Sequence, residues 1–182
     1  MKARIITGIV VVALTCLALP AAAQNRHDRR LAEEIARAVS SYGRLTIFDD
    51  VSGTVENGIV TLRGKVTMPY KKTDIGDRIS RIDGVEEVAN LIEVLPVSVQ
   101  DDNLRYRIAR AIYGNPSFWN YAARAHPPIH IIVERGRVRL TGVVNSNVER
   151  MLARSLATGL GELSVANELL TDAEVRATMR ID

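Results

Sequence analysis

Residues 55–66 read Val-Glu-Asn-Gly-Ile-Val-Thr-Leu-Arg-Gly-Lys-Val, and residues 133–144 read Val-Glu-Arg-Gly-Arg-Val-Arg-Leu-Thr-Gly-Val-Val. Val, Glu, Gly, Val, Leu, Gly and Val recur in register. Both segments alternate apolar and polar residues about a central Gly, the pattern of a β-hairpin with one buried face, and Asn57-Gly58 is a strong two-residue turn signal. The flanks repeat as well. Asp28 is expected to cap a run in which Leu31, Ile35, Ala38 and Val39 recur at helical spacing; Asp101 stands in the same relation to Leu104, Ile108, Ala111 and Ile112, shifted by 73 positions. At the hairpins the shift is 78, so the second copy carries five extra residues, placed between Tyr113 and Pro128. A further amphipathic run comes after each hairpin, Ile75, Ile79 and Ile82 or Val148, Leu152 and Leu156, and then a strand with Val88-Ala89-Asn90 or Val165-Ala166-Asn167. Repetition of the whole order marks a duplicated small domain. The expected fold class is α/β (α+β): two tandem α-β-β-α-β sandwich domains, each a small three-stranded sheet packed against two helices. They are placed at 28–96 and 101–171, with a C-terminal tail at 172–182.

Upstream, Lys2 and Arg4 precede an uncharged, largely apolar stretch from Ile5 to Leu19, then Pro20-Ala21-Ala22-Ala23. This is the layout of a secretory signal peptide, at 1–23, cleaved before Gln24. The stretch is short for a bilayer-spanning helix. Cys16 is the single cysteine, so the mature chain is expected to carry no thiol, disulfide or cysteine metal ligand. Thr15 and Ala13 stand where a lipoprotein signal would place a small residue and Leu, so anchoring at Cys16 is not expected. Removing Lys2 and Arg4 takes the net charge from +3 to +1, and whole-chain charge names no partner. The copies differ, however: 28–96 carry net −2, whereas 101–171 carry net +3, with nine bases that are all Arg. Between them, Val94 to Gln100 is short and uncharged, and Pro96 ends the strand; two domains held close are expected.

Two copies of Val-x-x-Gly-x-Val-x-Leu-x-Gly-x-Val, each with Val-Ala-Asn in a last strand and lying behind a signal peptide, resemble the BON domain family of bacterial envelope proteins. Gly58 and Gly136 sit where a tight turn favours positive φ, and Gly64 and Gly142 where a strand bends or another backbone approaches. Gly84-Val85 matches the family's Gly-Val pair; copy two has Gly159-Leu160-Gly161-Glu162 instead. The resemblance implies a small α/β sandwich in an exported protein, with roles in phospholipid binding or envelope maintenance under stress, and no catalysis.

Catalytic residues are hard to assemble. The histidines are His27, His126 and His130. His126 and His130 flank Pro127-Pro128, which excludes the helical i, i+4 geometry of a metalloprotease pair. Asp49-Asp50 and Asp101-Asp102 read as turn and cap groups. No catalytic residue, cofactor or metal site is expected, and the protein is read as no enzyme.

Of eight aromatic residues, five fall between positions 106 and 121. Tyr106, Arg110 and Tyr113 lie at i, i+4, i+7, opposite Leu104, Ile108 and Ala111; in copy one the matching positions are Glu33, Arg37 and Ser40. Tyr and Trp favour the headgroup level of a bilayer, and Arg bonds phosphate in a bidentate manner. The expected lipid-binding residues are therefore Tyr106, Arg107, Arg110, Tyr113, Phe118 and Trp119. In a second reading, Phe118, Trp119 and Tyr121 enlarge a thin core while Tyr106 and Tyr113 pack against copy one; in a third, the aromatics form a hot spot for a protein partner. The resulting expectation is a periplasmic, non-enzymatic envelope protein docking peripherally on anionic phospholipid membrane surfaces, with envelope proteins as further partners and no nucleic acid. The alternative is a soluble periplasmic protein-binding or chaperone-like factor.

Overall fold

A computed structural model describes residues 19–181 of the chain, and the side chains of 26–178. Cys16 and the apolar stretch of the expected signal peptide up to residue 18 lie outside the described residues. The first copy comprises α1 (Leu19–Ser40), β1 (Asp50–Glu56), β2 (Ile59–Val66), α2 (Pro69–Ile79), β3 (Glu87–Asn90) and β4 (Glu93–Val94). The second comprises α3 (Val99–Tyr113), a 3-10 turn at Pro116–Phe118, α4 (Trp119–Ala122), β5 (Ile129–Glu134), β6 (Arg137–Val144), α5 (Asn147–Leu156), β7 (Ser164–Asn167) and β8 (Leu170–Thr171). The residues expected as a tail form α6 (Asp172–Ile181).

In each copy the second hairpin strand is central, antiparallel to the first and parallel to the strand beyond α2 or α5. Ile59 faces Glu87 and Lys65 faces Glu93, so β3 and β4 are one strand in constant register, interrupted at Leu91 and Ile92. β7 and β8 repeat this against β6. The mixed α+β architecture is the expected one, with its third strand in two pieces.

The hairpin turns are of the two-residue kind in which both residues have positive φ: Asn57 at 52° and Gly58 at 77°, Arg135 at 50° and Gly136 at 73°. Arg135 is unusual there, because a left-handed backbone crowds its Cβ. A carboxylate holds each turn from outside. Asp101 Oδ2 accepts from Arg135 N and Oδ1 from Gly136 N, both at 2.8 Å; Asp28 accepts from Asn57 N at 3.0 Å and Gly58 N at 3.4 Å. These aspartates are thus hairpin clasps instead of the expected helix caps. Ser98 caps α3, its hydroxyl accepting from Asp101 N at 3.2 Å, and α1 starts well upstream of Asp28.

Gly64 and Gly142 are required by close approach: at φ of 128° and 109°, a Cβ would overlap the carbonyl oxygen of Asp50 or Pro128. Above the sheets the cores obey the helical spacing. Leu31, Ile35 and Val39 meet Val60, Leu62 and Val66 in copy one; Leu104, Ile108 and Ile112 meet Val138, Leu140 and Val144 in copy two. The second helix meets the expectation in part. Ile75 and Ile79 are buried in α2, and Leu152 and Leu156 of α5 pack against the second core, but the fully buried counterparts of the two isoleucines are Ala153 and, just past the end of α5, Ala157, and Val148 lies outside at 75% exposure.

The two copies dock through the loop before β1. Ile131 N donates to the Ile47 carbonyl at 2.7 Å, Ile47 and Phe48 pack on the second core, and Phe48 meets Tyr106 edge to face at 5.3 Å. Lys65 spans the junction, bonding Glu134 at 2.5 Å and Glu93 at 3.0 Å. The bond to Glu134 raises the lysine's pKa and lowers that of the glutamate.

Gly64→Ala and Gly142→Ala are expected to destabilise their own copies by at least about 2 kcal/mol, since the new methyl must displace backbone. Gly43→Ala, with open space around it, is the control and should lie within about 0.5 kcal/mol of the parent. Urea unfolding measures all three.

Candidate functional site

The insertion in copy two compensates for what α5 lacks. Phe118 is fully buried and Tyr121 nearly so, in the same cluster as Ala153 and Ala157; each ring contributes roughly 2–3 kcal/mol of apolar burial where the isoleucines of copy one are missing. The polar end of Tyr121 is also used. Its hydroxyl donates to Glu149 Oε2 at 2.6 Å and accepts from Asn145 N at 2.9 Å. Burial, then the bond to Glu149, pushes the phenol up to about 12. Tyr113 is half-buried, its hydroxyl donating to the Ile129 carbonyl at 2.5 Å, and burial raises its pKa strongly.

In copy one the position of Glu149 is Lys71 and that of Asn145 is Thr67. There Asp49 takes the place that Tyr121 fills. It is 1% exposed and Lys71 3%, with Lys71 Nζ 2.6 Å from Asp49 Oδ2. Thr46 N and Oγ1 also donate to Oδ2, and Thr67 N and Oγ1 to Oδ1, at 2.7–2.8 Å. Burial works most strongly against the charge, but the bonds from Lys71, Thr67 and Thr46 together outweigh it and hold the carboxyl below its usual range. Read from sequence as a turn group, Asp49 is half of a buried ion pair.

The six residues expected to bind lipid therefore separate. Tyr106, Arg107, Arg110 and Trp119 are exposed, with Tyr106 at 64% and Trp119 at 62%. Phe118 belongs to the core and is removed from the surface set, because the insertion folds back to fill the space beside α5. Tyr113 is largely withdrawn by its bond to Ile129. Asn103, Tyr106, Arg107 and Arg110 line a shallow depression of about 480 Å³ on α3. Neither Arg107 nor Arg110 is ion-paired among the described residues. Arg105, on the inner side of the same helix, is buried and bonds the Val133 carbonyl at 2.6 Å and the Asp102 carboxylate. Sequence reasoning missed it, although Ala32 at the matching place in copy one marks the difference. A larger cavity, about 620 Å³, lies between α1, β1 and residues 125–130, with His126 and His130 on its wall. Among the described residues no group of three His, Cys, Asp or Glu side chains is placed to hold a metal ion, and no helix is long and apolar enough to cross a membrane.

A family model described as the BON domain matches twice, at residues 27–96 and 100–172. The chain belongs to the BON domain family. BON domains are a phospholipid-binding type of domain in envelope-associated proteins and a non-enzymatic kind. No curated protein matches the chain. Among solved structures, the C-terminal domain of CdsD, a structural protein of the type III secretion system of Chlamydia trachomatis, is 15% identical with a TM-score of 0.33, over 79% of this chain and 66% of that one. A second CdsD structure is 13% identical with a TM-score of 0.28, over 84% of this chain and 98% of the other.

Asp49→Ala should cost copy one about 3–5 kcal/mol, since Lys71 is left buried and unpaired; Asp49→Leu with Lys71→Met should cost less. The carboxyl's folded pKa lies below its unfolded value of about 4, so its contribution is complete above that value and is lost as pH falls through the folded pKa. Hydrogen exchange read separately over each copy should show copy one loosening first in acid, and the double variant should lose that acid step.

Proposed function

We propose that the protein is exported to the periplasm and acts there as a non-enzymatic envelope factor, copy two docking on anionic phospholipid headgroups through the outer face of α3. The observation that carries this reading is the depression on α3, where two arginines that have no acidic partner among the described residues flank an exposed tyrosine. Arg107 and Arg110 supply phosphate attraction, and Tyr106 and Trp119 supply rings at headgroup depth. Phe118 and Tyr113 take supporting roles, holding the insertion and the start of β5 in place. Copy one has Arg37 among Glu33 and Ser40 at the matching face and serves as scaffold or partner-binding module.

Sedimentation with anionic vesicles across a salt series tests the reading. Arg110→Glu should weaken retention about tenfold or more at low salt and progressively less as salt screens it, while Trp119→Ala should weaken it at every salt concentration. Arg37→Glu is the matched control and should bind like the parent. If Arg37→Glu loses as much as Arg110→Glu, or folded Trp119→Ala binds normally, the face on α3 is not the docking surface. Intact mass of the exported protein should place its first residue at Gln24; an acylated chain starting at Cys16 would replace peripheral docking with anchoring.

A further inference from the structure

The two hairpins leave their outer edges in different states. Leu62 accepts from Leu91 N, so its main chain faces the third strand. Gly53, opposite Leu62 in the antiparallel register, therefore turns its N–H and C=O away from β2, as do Val51 and Val55 two residues to either side. In copy two the matching residues are Ile129, Ile131 and Val133, and the edge is closed. Tyr113 Oη donates to the Ile129 carbonyl, Ile131 N donates to the Ile47 carbonyl, and Arg105 donates to the Val133 carbonyl. Copy one lacks all three devices. Ser40 stands in the place of Tyr113 and bonds back to the Arg37 carbonyl at 3.1 Å; Ala32 stands in the place of Arg105; and no group among the described residues bonds the outward main chain of Val51, Gly53 or Val55.

Beside this open edge lies the 620 Å³ cavity, lined by the apolar Ile35, Ala36 and Val39 of α1 and Val51 of β1, together with Pro127 and Pro128. We propose that this groove binds an extended apolar peptide segment of a partner protein, which adds a strand to the edge of β1. An unpaired strand edge supplies main-chain pairing, and the adjoining groove takes alternate side chains. The equivalent edge of copy two already takes a main-chain partner from another part of the chain: the turn at Ile47–Phe48 offers the Ile47 carbonyl to Ile131 N and packs Phe48 on the core, and the groove is continuous with that junction through Leu45 and Ile47. The site is independent of headgroup docking, since α3 forms no part of it.

The test uses the full chain and a labelled, acetylated and amidated peptide of residues 43–50, Gly-Arg-Leu-Thr-Ile-Phe-Asp-Asp, against a scrambled control. The parent should bind the peptide at least tenfold more tightly than the scrambled one by fluorescence anisotropy, and saturation should slow Gly53 amide exchange at least tenfold by NMR. Ala36→Trp, at an exposed position that fills the groove, and Ser40→Tyr, which installs the lid that copy two carries as Tyr113, should each cut affinity at least tenfold with unchanged circular dichroism. Arg110→Glu should leave it unchanged. The proposal is overturned if the scrambled peptide binds equally well, if both folded groove variants bind like the parent, or if bound peptide protects Ile131 in place of Gly53. Loss of vesicle retention in Ala36→Trp without any peptide binding would likewise overturn it and assign the groove to lipid.

Discussion

The main chain of Ile47 meeting the edge of β5 determines how the two copies stand. One hydrogen bond contributes only about 1 kcal/mol, but here it aligns a larger contact: Ile47 and Phe48 bury apolar surface on the second core, and Lys65 bridges to Glu134 a short distance away. Because Phe48 leans on Tyr106, the same junction limits how α3 presents its outer face. The loop that makes the contact is itself held by Asp49, whose carboxylate binds Thr46 directly beside Ile47. The buried ion pair of copy one is thereby connected, through this short loop, to the surface of copy two.

The two copies meet the same structural needs with different atoms. Where copy one fills the space under its second helix with Ile75 and Ile79 and ties the end of β2 with Asp49 and Lys71, copy two uses Phe118 and Tyr121, tying the end of β6 with a phenol and Glu149. A buried charge pair carries a desolvation cost that a phenol largely avoids. The exchange spares copy two that buried pair at the end of β6; its own buried charged groups, Asp101 and Arg105, instead bond the main chain of the second hairpin.

The hairpins, their glycines and the inward faces of α1 and α3 were readable in the sequence, because period-two and helical patterns depend on burial that neighbours along the chain reveal. The roles of Asp28 and Asp101 were not. A carboxylate in a first helical turn looks like a cap, and only the fold brings residues 57–58 and 135–136 within its reach. Val148, Leu152 and Leu156 keep helical spacing, and the two leucines do pack on the core, yet Val148 is exposed and the fully buried positions are Ala153 and Ala157; small residues carry little weight in a hydrophobic pattern. Of the expected lipid-facing set, the sequence left the aromatics open between packing and surface, and Phe118 could not be told from its neighbour Trp119 without knowing which way the short helix turns. The open edge of β1 left no trace in composition, since an unpaired amide has no side chain to announce it.

The closing of β5 by a segment from copy one also has a temporal side. Domains emerge and fold in order from the N-terminus, so the Leu45–Phe48 segment can stand in place, tethered by Asp49, before β5 has emerged. When the second hairpin forms, a turn that offers its edge a main-chain acceptor and an aromatic ring is already within reach on the same chain. An isoleucine-rich strand that would otherwise wait exposed to other molecules in a crowded compartment is covered at birth by its elder sibling.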